Sequence, residues 1–325
     1  MAEAESTRPS GAKRALSWIA RCGISVLLIG LLLRKESVRN AVGQLNAGIV
    51  WWVLAGVVLY LASQAINTLK WQAILEAMGH RVPYRRLLSV TLAGMFWNLF
   101  LPTAVGGDAA RVVLMRAYDV PASTGTLSVL MQRITGFVAL LVIGVAGLVM
   151  SGELNDPVPR NVLLGLTLLL VVLTIAMGVG LALEGRFALA DRLPGWLGRP
   201  LRRIGDGLLA LVRAPRAMLW VMVLSFVFQL WHVGLGWFLA SAVGCTASAR
   251  HYVWMVPVTS VGGMVPVGLG GIGSRETVAE LLLRPILGAS GVVWQLVWNA
   301  VMVLSSLIGG LVAAGGAARA AKSSG

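Results

Sequence analysis

The sequence predicts an all-α polytopic membrane protein with about six full transmembrane helices and two re-entrant or broken helical hairpins in an inverted repeat. Three observations lead there. Hydrophobic residues make up 57 % of the 325 positions and charged residues 12 %, about half the charged share of an ordinary soluble domain. Several apolar runs exceed the ~18 residues needed to cross a hydrocarbon core. Finally, Pro102-Thr-Ala-Val-Gly-Gly-Asp-Ala-Ala-Arg111 returns as Pro266-Val-Gly-Leu-Gly-Gly-Ile-Gly-Ser-Arg275. Both copies read Pro-x3-Gly-Gly-x3-Arg, 164 positions apart. One spacing kept twice in a membrane chain points to a duplicated unit.

Taken in order, residues 1–14 read as a polar cytoplasmic tail, 15–315 as a single transmembrane domain and 316–325 as a second tail. The first helices are expected at about 15–33 and 49–69, the second carrying Gln64 and Asn67 for hydrogen bonds between helices. The stretch from Lys70 to Arg86 adds His80, Arg81 and Arg85 and reads as a cytoplasmic loop. A hairpin follows at 87–117. Its apolar run, Leu87 to Leu101, is too short to cross comfortably and stops at Pro102 and the Gly pair.

Helices at about 126–150 and 161–183 precede a basic loop at 184–216, read as cytoplasmic. Another crossing at 217–243, a second hairpin at 252–284 and a last helix at 289–313 complete the domain. Loop charge then places the first hairpin inside and the second outside, with both termini cytoplasmic in the cytoplasmic (inner) membrane. Arg34, Lys35 and Arg39 run against this alternation, and the order changes if the hairpins span.

The formal net charge is +14, but the basic residues sit in loops between apolar runs, so no nucleic-acid partner is expected. Cys22 and Cys245 make no metal-ligand spacing, and no metal is expected. Gly268-Leu-Gly270-Gly-Ile-Gly273 matches a dinucleotide fingerprint, yet it lies between membrane helices with no acid after Glu280. That fingerprint needs a strand before it and an acidic residue about 20 positions on. No cofactor is expected.

A helix broken inside a bilayer exposes backbone groups that lipid cannot satisfy, so protein, water or substrate must take them up. At Pro102 and Pro266 the helix breaks, and the restarting half-helix presents free N–H groups to an anion. Gly106, Gly107, Gly270 and Gly271 would admit a headgroup close to the backbone, with Arg111 and Arg275 about one turn further on. The competing reading has the glycines serving helix packing and the arginines snorkelling to the surface.

Asp108 shares a helix face with Arg111 and either pairs with it or caps the half-helix. Asp108 and Glu276 are assigned to charge balance or proton coupling. Arg133, within an apolar helix, is expected to face the substrate path. His232, Gln229 and Asn98 are weaker candidates. The repeat keeps the Pro, the Gly pair and the Arg but neither acid, which favours holding an anion over acid–base chemistry.

At Leu101-Pro102, Gly106-Gly107-Asp108, Arg111, Gln132-Arg133 with Gly136, and Pro266, Gly270-Gly271, Gly273, Arg275-Glu276, the chain resembles the flippase-like family. This is the transmembrane domain of lysylphosphatidylglycerol synthases and of stand-alone relatives, and the resemblance covers about residues 15–315. It implies movement of a lipid across the membrane. A chain ending at Gly325 leaves no room for a synthase part, so no lysine transfer is expected.

The expected function is flippase- or scramblase-like translocation of an anionic phospholipid or isoprenoid-derived lipid, with a separate lipid-synthesis enzyme as a possible partner. An integral-membrane glycosyltransferase or other lipid-modifying enzyme, using Asp108 or Glu276 as base, is the alternative. A third reading is a structural or regulatory partner of a lipid-synthesis complex.

Overall fold

A computed structural model describes residues 36–43, 45–100, 106–152, 213–264 and 273–323, with separate positions within 30–34 and 157–209. Among the described residues every regular element is helical. The helices are α1 (Glu36–Gly43), α2 (Ile49–Ala77), α3 (Tyr84–Phe100), α4 (Gly106–Met115) and α5 (Ala122–Ser151). They continue as α6 (Pro215–Ala242), α7 (Ala249–Gly263), α8 (Ser274–Val278), α9 (Arg284–Leu287) and α10 (Ser290–Ser323). A π-helical turn, Ala279–Leu283, joins α8 to α9.

Four of these are long and apolar enough to cross a membrane: α2, α5, α6 and the Ser290–Val312 part of α10. They fall on four of the expected crossings. The helices expected at 15–33 and 161–183, the loop at 184–216 and the polar tail at 1–14 lie wholly or largely outside the described residues. So do Pro102, Pro266, Gly270 and Gly271.

Local chemistry explains several ends. Proline opens α6, where its missing N–H costs nothing. Gly152 closes α5 at φ 73°, a left-handed position that a side chain would resist. The expected end of α2 at residue 69 is corrected: the helix runs on to Ala77. Nothing between Leu69 and Ala77 breaks a helix, and Trp71, Ile74 and Leu75 are fully buried there. Lys70 thus belongs to a spanning helix rather than a loop, and is 1 % exposed.

The two short apolar segments are also helical. Helices α3 and α7 have 17 and 15 residues, short of the ~20 that a perpendicular crossing takes. Each packs against the helix that follows its break, α3 on α4 and α7 on α8. The helix starts at 49, 84, 106 and 122 recur at 215, 249, 274 and 290, which is 166, 165, 168 and 168 positions later.

The two largest apolar clusters among the described residues hold much of the bundle. The larger joins Leu141, Leu239, Tyr252, Trp254, Trp294 and Trp298, where α5, α6, α7 and α10 meet. The smaller joins Trp71, Leu75, Leu87, Met115 and Val129 across α2 to α5. Helix α5 approaches α7 closely at Gly147, where an added Cβ would lie 2.8 Å from the Val253 carbonyl carbon and 2.9 Å from the Trp254 nitrogen. Because backbone atoms cannot swing aside, Gly147→Ala is expected to cost about 1–3 kcal/mol. Thermal unfolding in detergent checks it, with Gly165→Ala as control, since a Cβ at Gly165 meets nothing within 4 Å.

Candidate functional site

The site grows from the restarting helix α4. Its Gly107 presses against α3, where a Cβ would run into the Gly94 carbonyl and the Asn98 side chain. The Gly107 N–H donates to Asn98 Oδ1 at 2.7 Å. Gly107 therefore serves helix packing, and its N–H already has a partner. The seat turns Asp108 and Arg111, one helical turn apart, into the bundle, where they are 7 % and 8 % exposed.

Arg111 is held on several sides. Its guanidinium stacks 4.1 Å from the Trp71 ring centroid, a favourable place for a desolvated cation. Ser128 fixes that ring by accepting the Trp71 indole N–H at 2.9 Å. An Nη2 of Arg111 points to Thr91 Oγ1 at 3.5 Å, and an Nη1 lies 3.7 Å from Asp108 Oδ1. Space for its stem comes from Gly94, where a Cβ would stand 2.5 Å from Arg111 Cγ. The Arg111 Nε is buried without a hydrogen-bond partner.

Arg133 arrives from α5 and donates to the other oxygen of Asp108. It lies eleven residues past the start of α5, about 16 Å along the axis. Asp108 is thus the hub of an ion-pair cluster bridging α4 and α5.

Lys70 joins from α2, and sequence reasoning missed it. Its ammonium donates to the Gln132 carbonyl at 3.0 Å and sits 5.7 Å from the Phe228 ring centroid. Gly136 leaves it room, since a Cβ there would lie 3.0 Å from Nζ. The available signal was periodicity: Gln64, Asn67, Trp71 and Leu75 continue a helical stripe straight past residue 69. The polar stripe is used between helices. The Gln132 amide donates to the Asn67 carbonyl at 2.9 Å and to Asn67 Oδ1 at 3.0 Å, and Asn67 reaches Gln64 at 3.4 Å. Gln229 donates to the Gly136 carbonyl at 2.9 Å, tying α6 to the same place.

The second copy of the motif is built differently. Arg275 lies across Gly263 of α7, where a Cβ would stand 2.5 Å from its Nε, much as Arg111 lies across Gly94. Its Nε is buried without a partner. Glu276 is fully buried; it accepts the Gly273 N–H at 2.9 Å and a hydrogen bond from Asn299. A carboxylate therefore occupies the first turn of this half-helix. Among the described residues no ion pair or hydrogen bond joins Arg275 to the Asp108 cluster. His232 stacks among Phe228, Tyr60 and Trp298, with ring centroids 4.2, 5.7 and 5.9 Å away, and its Nδ1 lies 2.9 Å from the Phe228 carbonyl. That is the setting of a structural histidine.

These features define a helical multi-pass membrane protein with a cationic cluster at the start of α4 inside its bundle. Residues 18–310 match the family model for the lysylphosphatidylglycerol synthase TM region. The chain belongs to that family, which ties it to lipid at the membrane. No curated protein matches the chain.

Proposed function

We propose that the protein translocates an anionic phospholipid or isoprenoid-derived lipid across the cytoplasmic membrane, its headgroup held by Arg111 and Arg133 beside α4. One observation carries the reading. Arg111 and Arg133 share a single carboxylate, Asp108, and a third cation, Lys70, is buried on the neighbouring α2 against the Gln132 carbonyl. A bilayer makes that excess of positive charge costly unless an anion meets it.

Alternating access is supported by the packing. Exchanging α2 with α6, α3 with α7, α4 with α8 and α5 with α10 turns the list of neighbours into itself. The α3–α10 contact becomes α7–α5, α2–α10 becomes α6–α5, and α2–α6 maps onto itself. Two related halves packed in this way suit rocking of one against the other, and the loop charges favour inverted copies. In this reading Arg275 and Gly270-Gly271 form the weaker second contact, and Glu276 balances charge. An enzyme using Asp108 or Glu276 as base fits less well, because both carboxylates are already engaged by Arg or by Gly273 and Asn299.

Vesicles containing the full-length protein and fluorescent phosphatidylglycerol test the proposal through the rate at which label becomes accessible to an external quencher. Arg111→Gln is expected to slow the protein-dependent rate about tenfold or more, the effect of losing one charge-assisted contact. Arg275→Gln should have a smaller effect. Equal rates for wild type and both variants would refute the site.

A further inference from the structure

The second half of the bundle buries polar atoms that nothing answers. Gln295 of α10 is 1 % exposed, and neither its amide nitrogen nor its amide oxygen has a hydrogen-bond partner among the described residues. Asn299 lies one turn on, so the two amides share a helix face. Asn299 donates its N–H to Glu276, which turns that face toward α8, and its Oδ1 is left without a partner among the described residues. Trp298, beside Asn299, buries an unmatched indole N–H, and the Nε of Arg275, beside Glu276, is unmatched as well. His232, whose ring lies 5.9 Å from that of Trp298, is within electrostatic reach of Arg275. The unmatched atoms thus belong to two helices packed on each other, α8 and α10.

The fold can satisfy buried amides, for in the first half Gln64, Asn67 and Gln132 bond one another and the Asn67 carbonyl. Inside a bilayer an unmatched polar atom costs free energy that an apolar side chain of the same shape would not. The chemistry of the set narrows what it takes. Gln295 Nε2, the Trp298 indole and Arg275 Nε donate, whereas the oxygens of Gln295 and Asn299 accept. A phosphate only accepts, and a cation serves only the oxygens. A hydroxyl does both. Resting on the headgroup reading above, we infer that Gln295, Asn299, Trp298 and Arg275 form a second subsite, for the hydroxyls of the headgroup, and that the cargo carries a polyol or a sugar on its phosphate. The first motif then takes the phosphate and the second the hydroxyls. The atoms are sealed in this conformation, and rocking of the halves opens them to the lipid.

Native mass spectrometry of the purified full-length protein in detergent compares phosphatidylethanol, phosphatidylglycerol, phosphatidylinositol and diacylglycerol. The phosphodiesters share one charge and differ in their hydroxyls. Wild type is expected to bind phosphatidylglycerol or phosphatidylinositol about tenfold more tightly than phosphatidylethanol, the effect of about two neutral hydrogen bonds. Which of the two binds tighter tells a glycerol from a sugar-like ring. Gln295→Met keeps the volume and removes the amide. It should reduce the preference to about twofold or less while leaving phosphatidylethanol binding within about twofold. Without added lipid this variant should melt no lower than wild type, because it loses no native hydrogen bond.

Trp298→Phe keeps a ring in place, removes one donor and should lower the preference by about threefold. Unchanged preference in either variant overturns the inference and assigns the buried atoms to water, leaving the headgroup reading intact. A wild type indifferent to the hydroxyls overturns it too, as does a Gln295→Met protein that melts well below wild type, which would mark the amide as structural. If wild type binds no phosphate lipid better than diacylglycerol, the headgroup reading falls with it.

Discussion

Asp108→Asn is expected to destabilise the protein by about 3–5 kcal/mol, the usual cost of removing one partner from a buried ionic group. Shape and volume are conserved, so the loss reports charge. Arg111, at 8 % exposed, and Lys70, at 1 %, are buried in the bundle. Arg133 differs, because its side chain is half exposed and can turn outward. Adding Arg133→Gln to Asp108→Asn should therefore recover part of the loss, and a double-mutant cycle by chemical denaturation measures the coupling. The same single variant should bind phosphatidylglycerol more tightly, since it deletes the one negative charge at the site. Stability falling while anion affinity rises is a pairing that a mere packing defect would not give. An Asp108→Asn protein as stable as wild type would rule out the ionic hub.

The second large effect concerns the seat of α4. Gly107→Ala drives a methyl group into the Gly94 carbonyl and the Asn98 side chain, and breaks the alignment in which Asn98 accepts the Gly107 N–H. A backbone oxygen yields only if α3 itself moves, so about 1–3 kcal/mol should be lost, and Arg111 is carried away from Trp71. Gly94→Ala offers a contrast. Its new methyl group meets Arg111 Cγ and Cδ, at 2.5 and 2.7 Å, and the Gly107 carbonyl at 3.1 Å. Side-chain carbons can shift, so that variant should unfold at a temperature closer to wild type while displacing the guanidinium and weakening anion binding. Thermal unfolding and lipid binding, measured on both proteins, separate the two.

How much of this was legible in the sequence depends on the range of the interaction. Apolar runs long enough to span are local signals, and α2, α5, α6 and α10 lie where those runs are. The end of α2 escapes a local reading because Lys70 has the look of a loop charge. Hydropathy sees the ammonium but not the Gln132 carbonyl that receives it from a helix 62 positions on. The sequence leaves Asp108 either pairing with Arg111, its neighbour on one helix, or capping the helix, and the pairing exists at 3.7 Å. Its hydrogen bond to Arg133 needs α4 folded back onto α5, which no local pattern states. Gly107 shows the limit most plainly. A glycine at a helix break could admit a ligand or another helix, and only the opposing Gly94 carbonyl decides between them.

The unequal halves carry a thermodynamic consequence. Were the two sets of helices identical, a rocking transporter would have two mirror-image states of equal free energy, and neither would be the resting one. Here Lys70 and Arg133 have no charged counterparts among the described residues of the second half, and Glu276, which stands in the first turn as Asp108 does, bonds Gly273 and Asn299 rather than arginine. If the protein translocates lipid as proposed, unequal charge on the two sides splits the pair of states, so the empty protein should rest in a single conformation. A bound anion that cancels the charge brings the two nearer to equality. The cargo would then lower the barrier to its own passage, and the empty carrier would stay shut.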